Sequence, residues 1–129
     1  FLSGKVTAQE QFGFDDVRKF VPQLSKENIE ANRPILDLLH RFAVEKNATN
    51  AQISLAWMLH KYPNVVPIPG SKNQERILEN LGAWNVTLSD DEFRQLQSAL
   101  DECKVHGHRG CVETEQTSFG KQWSEETDK

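Results

Sequence analysis

Residues 65–80 read VVPIPGSKNQERILEN. Val65, Val66, Pro67 and Ile68 form an apolar run that ends at Pro69 and Gly70. A polar turn follows at Ser71, Lys72 and Asn73. From Gln74 to Leu81 the apolar positions Ile77, Leu78 and Leu81 alternate with Glu75, Arg76, Glu79 and Asn80, a helical pattern. The stretch therefore reads as a buried strand, a glycine turn and the first turns of a helix. Free backbone N–H groups at a helix start, with the helix dipole behind them, favour an anion such as phosphate. Gly70 permits close backbone approach or positive φ. Lys72 and Arg76 are cations at the end of the helix where the dipole disfavours them, and an anionic ligand would explain their presence. A strand–helix junction with a solvated basic turn stays open beside that reading, because a short glycine turn before a helix is a weak signal.

Beyond the loop, the run IPGSKNQERILENLGA resembles the end of the last barrel strand and the following helix of aldo-keto reductases. The resemblance implies a (β/α)8 barrel family using NADP(H). It implies that Gly70, Ser71, Lys72 and Arg76 hold the adenosine 2′-phosphate, and that Glu79 and Asn80 hydrogen-bond the adenine. The opening FLSGK is similar to the segment after the seventh strand in longer-looped members, which makes Lys5 a candidate pyrophosphate contact. A free surface lysine is the alternative at Lys5. Upstream of the decisive stretch, NATNAQISLAWMLHKYPNVVPIPGS is similar to a family run in which an Ala-Gln-Leu-Ala-Trp helix leads into the Pro-Ile-Pro-Gly strand. Trp57 is accordingly assigned to packing rather than chemistry.

The rest of the chain reads as helices with local punctuation. Residues 1–14 form a glycine-dotted loop, and residues 15–20 one or two helical turns. Ser25 is an N-cap. Ile29, Ile35, Leu38, Leu39, Phe42 and Ala43 share a face of a helix from Glu27 to about Lys46. Pro34 lies inside it and is expected to kink it or split off its first turns. Asn47 stops it. Thr49 with Gln52 reads as a capping box for the next helix, which Tyr62 and Pro63 end. Gly82 ends the phosphate-proximal helix. Ser89, followed by Asp90, Asp91 and Glu92, starts a last helix whose buried stripe is Phe93, Leu96 and Leu100.

Composition narrows the function classes. In 129 residues with 26% charged residues, the formal net charge is −4, which does not suggest a general nucleic-acid or membrane-surface role. No run of about 20 apolar residues is present to span a membrane. FLSGKVTAQE has no signal-peptide pattern. Two cysteines make no disulfide framework, so a reducing cytoplasm is the expected compartment. The first residue is not Met, and the expectation is a chain that begins inside a larger gene product. Cys103, His106, His108 and Cys111 are zinc ligands by type, but their spacing is not that of common structural sites, and no metal is assigned. A basic turn is the alternative, from which His108 and Arg109 could reach an anionic cofactor or substrate.

The resemblance runs to about Leu100 and covers only the last third or so of a usual family member. Aldo-keto reductases use an Asp, Tyr, Lys and His tetrad from early strands. Their Tyr donates a proton to the carbonyl while the nicotinamide delivers hydride. None of those motifs is present, and Tyr62 belongs to the helix before the last strand. The expectation is thus a mainly α fold, with at most one or two short strands at residues 65–68. Residues 1–102 would be the C-terminal part of an aldo-keto reductase-like barrel, and residues 103–129 a tail. No catalytic residue is assigned, and whether the chain is itself an enzyme stays open. The expected cofactor is NADP, bound weakly or not at all by the chain alone. A helical self-association module is the competing reading, since faces that would pack on absent strands would be exposed.

Overall fold

The computed structural model describes residues 1–9 and 11–110. Among them the regular structure is helical: α1 (Lys26–Ala31), α2 (Arg33–Glu45), α3 (Asn50–Lys61), α4 (Gln74–Leu81) and α5 (Asp90–Asp101), with short 3-10 turns at Val17–Phe20, Pro22–Leu24 and Gly82–Asn85. No strand occurs among the described residues. The chain divides into two compact units.

One unit holds Phe1–Lys5 and Arg33–Lys104. Its helices start where side chains satisfy first-turn N–H groups that the helix cannot. Thr49 Oγ1 accepts from the Gln52 N–H at 3.2 Å, and Gln52 Oε1 accepts from the Thr49 N–H at 3.0 Å, closing the expected capping box of α3. Ser89 and Glu92 close a second one at α5. The stop at Asn47 uses a positive φ of 49°, a conformation that asparagine tolerates better than most residues. Helix α2 packs against α3 and α5, and α3 also touches α4 and the Gly82–Asn85 turn. The core follows from the apolar stripes: Leu38, Leu39, Phe42 and Ala43 of α2 meet Ile53 and Ala56 of α3 and Leu96 of α5. Ile53 and Leu96 are fully buried. Trp57 packs against this core and donates its indole N–H to Gln97 Oε1 at 3.1 Å, in keeping with a packing role.

The other unit contains Val6–Asn32 and, among the described residues, 105–110. Ser25 caps α1 by accepting from the Asn28 N–H. Pro34 has the expected effect, because the long helix is divided into α1 and α2. At the break, Asn32 is 2% exposed. Its amide donates to the His106 carbonyl at 2.8 Å and accepts from the His106 N–H at 2.7 Å. The next residue, Gly107, has φ +79°, and a Cβ there would lie 2.9 Å from the Gln23 nitrogen. The Gln23 N–H donates to the His108 carbonyl at 3.2 Å. Backbone of residues 106–108 is thus tied to the segment before α2, and only glycine fits the middle position.

The mainly α fold, with at most one or two short strands, is as expected; the local reading of residues 65–68 as a buried strand fails. Residues 65–68 are neither a strand nor buried: Val66 is 82% and Ile68 92% exposed. A strand needs a neighbour for its backbone groups, and no described segment lies alongside to supply one.

Two consequences are measurable. Lys46 Nζ lies 2.6 Å from the Glu92 carboxylate, and this contact first, with the Ser89 backbone N–H next, pulls the Glu92 pKa down to about 2 from 4.5. A carboxyl depressed on folding contributes stability that is fully present above pH 4.5 and is lost as pH falls toward 2. Thermal melts should therefore show Glu92→Gln less stable than the parent at pH 7, with the two converging near pH 2. Leu96→Ala should cost about 2–5 kcal/mol by denaturant titration, because it opens a cavity in the tightest part of the core.

Candidate functional site

Helix α4 is short and mixed in character, and its placement comes from both ends. At its start Asn73 Oδ1 accepts from the Arg76 N–H at 3.1 Å. Just before it, the Asn73 N–H donates to Ser71 Oγ at 3.1 Å, which folds residues 71–73 into a tight turn. No hydrogen bond within the described residues reaches the N–H groups of Gln74 and Glu75, so two first-turn donors remain for a ligand or solvent. Gly70 has open space where a Cβ would be, and its φ is not in the left-handed region. Of the two reasons for a glycine there, close approach is the one its surroundings allow.

Near its other end, α4 is tied to α3. Gln52 Nε2 donates to the Glu79 carbonyl at 2.8 Å. The same side chain closes the capping box of α3 through its oxygen. Gly82 lets this happen, since a Cβ there would come within 2.6 Å of Gln52 Nε2. The sequence shows Gln52 as a cap but gives no sign of its second bond, because that bond spans 27 residues.

Lys5 reaches the same place from the start of the chain. Its ammonium lies 3.1 Å from Glu79 Oε2. Glu79 is held below the ordinary carboxylate range, by the Thr49 hydroxyl first and by Lys5 second, with Arg76 adding a smaller attraction. Two of the seven sequence-nominated residues thus form an ion pair, and the lysine is not free. Lys72 and Arg76 are exposed, and neither side chain makes a hydrogen bond within the described residues. Asn80 is partly buried and lines an apolar cavity of about 560 Å³ between α3, residues 63–69, α4 and the Gly82–Asn85 turn. The site thus combines two cations with no hydrogen-bonded partner among the described residues, two open backbone donors and an accessible glycine towards the start of α4, and a carboxylate paired with Lys5 near its far end. Such a set suits a phosphate near Gly70 and a hydrogen-bonding ring near Asn80.

The Cys103, His106, His108 and Cys111 constellation does not assemble within the described residues, where no group of three potential ligands is present. Cys111 lies outside them. The Cys103 thiol donates to the Ala99 carbonyl. The tail assigned to residues 103–129 is described only as far as residue 110. No helix among the described residues is long and apolar enough to cross a membrane.

The sequence model of the Aldo/keto reductase family matches residues 1–101. A curated protein of Schizosaccharomyces pombe, "Aldo-keto reductase yakc [NADP(+)]", is 35% identical over 109 residues, which are 84% of this chain and 32% of that protein. "Aldo-keto reductase str7" of Strobilurus tenacellus is 29% identical over 108 residues, with the same coverage of each chain. The chain spans about a third of the length of these relatives. No solved structure gives a significant match.

The Glu79 environment can be tested without any ligand. In a carbon-detected NMR titration, Thr49→Val should raise the Glu79 pKa toward its ordinary value. Lys5→Ala should raise it less, and Thr49→Ser should leave it low because the hydroxyl is retained.

Proposed function

Because the chain belongs to the aldo/keto reductase family, we propose that it is the NADP-binding C-terminal part of an NADPH-dependent carbonyl reductase, without turnover of its own. The observation that carries this is the state of Lys72 and Arg76. Two cations stand at a helix start, where the dipole disfavours them, and among the described residues no anion is hydrogen-bonded to either. A 2′-phosphate supplies that anion. The donor set fits the group: Gly70, Ser71, Lys72 and Arg76 would hold the 2′-phosphate, and Glu79 and Asn80 would hydrogen-bond the adenine. Lys5, in its pair with Glu79, would lie at the pyrophosphate side. The bound cofactor supplies hydride. What this chain's residues contribute is binding and orientation, since the proton donor of the family's tetrad is not among them.

The name of the fission-yeast relative, which includes NADP(+), supports the choice of cofactor. The capped α4 start, the Gln52 bond to Glu79 and the Thr49 contact support a site whose backbone is ordered before a ligand arrives.

A calorimetric titration of the folded chain tests the reading. A charge-assisted hydrogen bond contributes about 1.5–3 kcal/mol. NADPH should therefore bind at least about tenfold more tightly than NADH. Arg76→Ala should remove most of that difference while changing NADH affinity little. Equal affinity for both cofactors, or no binding by a chain shown to be folded, would overturn it. Measurable NADPH-dependent aldehyde reduction by the chain alone would overturn the assignment of no turnover.

A further inference from the structure

Both side chains of the α3 capping box have a second use, and in each case it falls on Glu79 of α4. Thr49 Oγ1 accepts from the Gln52 N–H at 3.2 Å and donates its own proton to the Glu79 carboxylate. Gln52 Oε1 accepts from the Thr49 N–H at 3.0 Å, and Gln52 Nε2 donates to the Glu79 carbonyl at 2.8 Å. Each side chain thus spends its acceptor on the start of α3 and its donor on Glu79. One residue of α4 is held at its backbone and at its carboxylate by one pair of residues from α3.

Gly82 belongs to the same arrangement. Its φ of −60° and ψ of −17° are helical values that any residue adopts, so conformational freedom is not what the position requires. Space is: a Cβ there would lie 2.6 Å from Gln52 Nε2. The amide could swing away from such a Cβ only by leaving the Glu79 carbonyl.

We infer that Thr49 and Gln52 are positioning residues for base recognition: by fixing Glu79 in place as a hydrogen-bond acceptor, they make the cofactor site select a purine with a 6-amino group over one with a 6-oxo group. The inference rests on the proposed contact between Glu79 and the adenine. An ionised carboxylate accepts hydrogen bonds and donates none, with about four lone-pair sites on its two oxygens. Thr49 and Lys5 occupy two of these sites. The Glu79 side chain is 21% exposed, so acceptor capacity is still reachable. The 6-amino group of adenine brings N–H donors to it. The 6-oxo group of hypoxanthine brings an acceptor and sets oxygen against oxygen, the repulsive element that specificity needs. That repulsion operates only against a carboxylate that cannot turn away, and the ties from Thr49 and Gln52 are what prevent it from turning.

Calorimetry of the folded chain with NADPH, NADH and the deamino analogue of NADPH, whose base is hypoxanthine, tests this. The parent should bind NADPH about tenfold or more tightly than the deamino analogue, the size of one charge-assisted hydrogen bond. Gln52→Glu keeps the oxygen that caps α3 but has no donor for the Glu79 carbonyl. Gly82→Ala keeps Gln52, suits a helical backbone and displaces the amide. In both variants, with folding checked by thermal melts, the preference over the deamino analogue should fall below about threefold. Their preference for NADPH over NADH, set at Lys72 and Arg76, should persist. Thr49→Val should lose the base preference, and Thr49→Ser, which retains donor and acceptor, should keep it. A purely structural role would lower all three affinities together and leave their ratios alone. A parent that prefers NADPH to NADH but binds the deamino analogue equally well would overturn this inference and leave the cofactor reading standing. So would Gln52→Glu and Gly82→Ala proteins with the parent's base preference. No binding of NADPH by the folded parent would overturn both.

Discussion

The Gln52 amide joins two helix ends, and the placement of α4 depends on it. Its oxygen accepts from the Thr49 N–H and its nitrogen donates to the Glu79 carbonyl. An amide is one of few side chains that can do both, since it carries an acceptor and donors on one rigid plane. The bond to Glu79 sits at the end of α4 remote from the glycine turn, and Asn73 fixes the near end. Between these two ties α4 has little buried apolar surface: none of its residues is buried. Polar bonds at the ends therefore do for α4 what the packed stripes of Ile53 and Leu96 do for α3 and α5. This leaves the outer faces of α4 available, for charge near Lys72 and Arg76 and for apolar contact at Ile77 and Leu81.

What was legible in the sequence was local. Ser25, Thr49 and Ser89 cap their helices because the bonds they make span three residues, and a residue type at that spacing is visible in one line of letters. Pro34 divides its helix for an equally local reason. The buried stripes of α2 and α5 follow from helical periodicity. The resemblance added what spacing could not, that the polar turn before α4 belongs to a cofactor-binding family. The contacts that were not legible join distant residues. Lys5 meets Glu79 across 74 positions, and Asn32 clasps the His106 backbone across the same interval. Neither has a period or a motif. The burial of Asn32 with a complete pair of hydrogen bonds is visible only in three dimensions.

Residues 65–68 show the same limit from the other side. Apolar letters in a row predict a strand but are silent about its partner. A strand is a relation between two segments, whereas a helix completes most of its hydrogen bonds within itself. Residues 65–68 have no such neighbour among the described residues, and Val66 and Ile68 are exposed.

Asn80 connects the two surfaces of α4. It is nominated for the adenine, and it is also the polar residue in the wall of an otherwise apolar cavity. A ring held by Asn80 would meet that wall. Glu79, its neighbour, does not line the cavity and is paired with Lys5. The cations at residues 72 and 76 lie one to two turns earlier, where they are held by the chain's polar turn and not by the cavity. The charged start of α4 and the apolar cavity at its end are therefore separate surfaces, and Asn80 is the polar residue in the wall of the second.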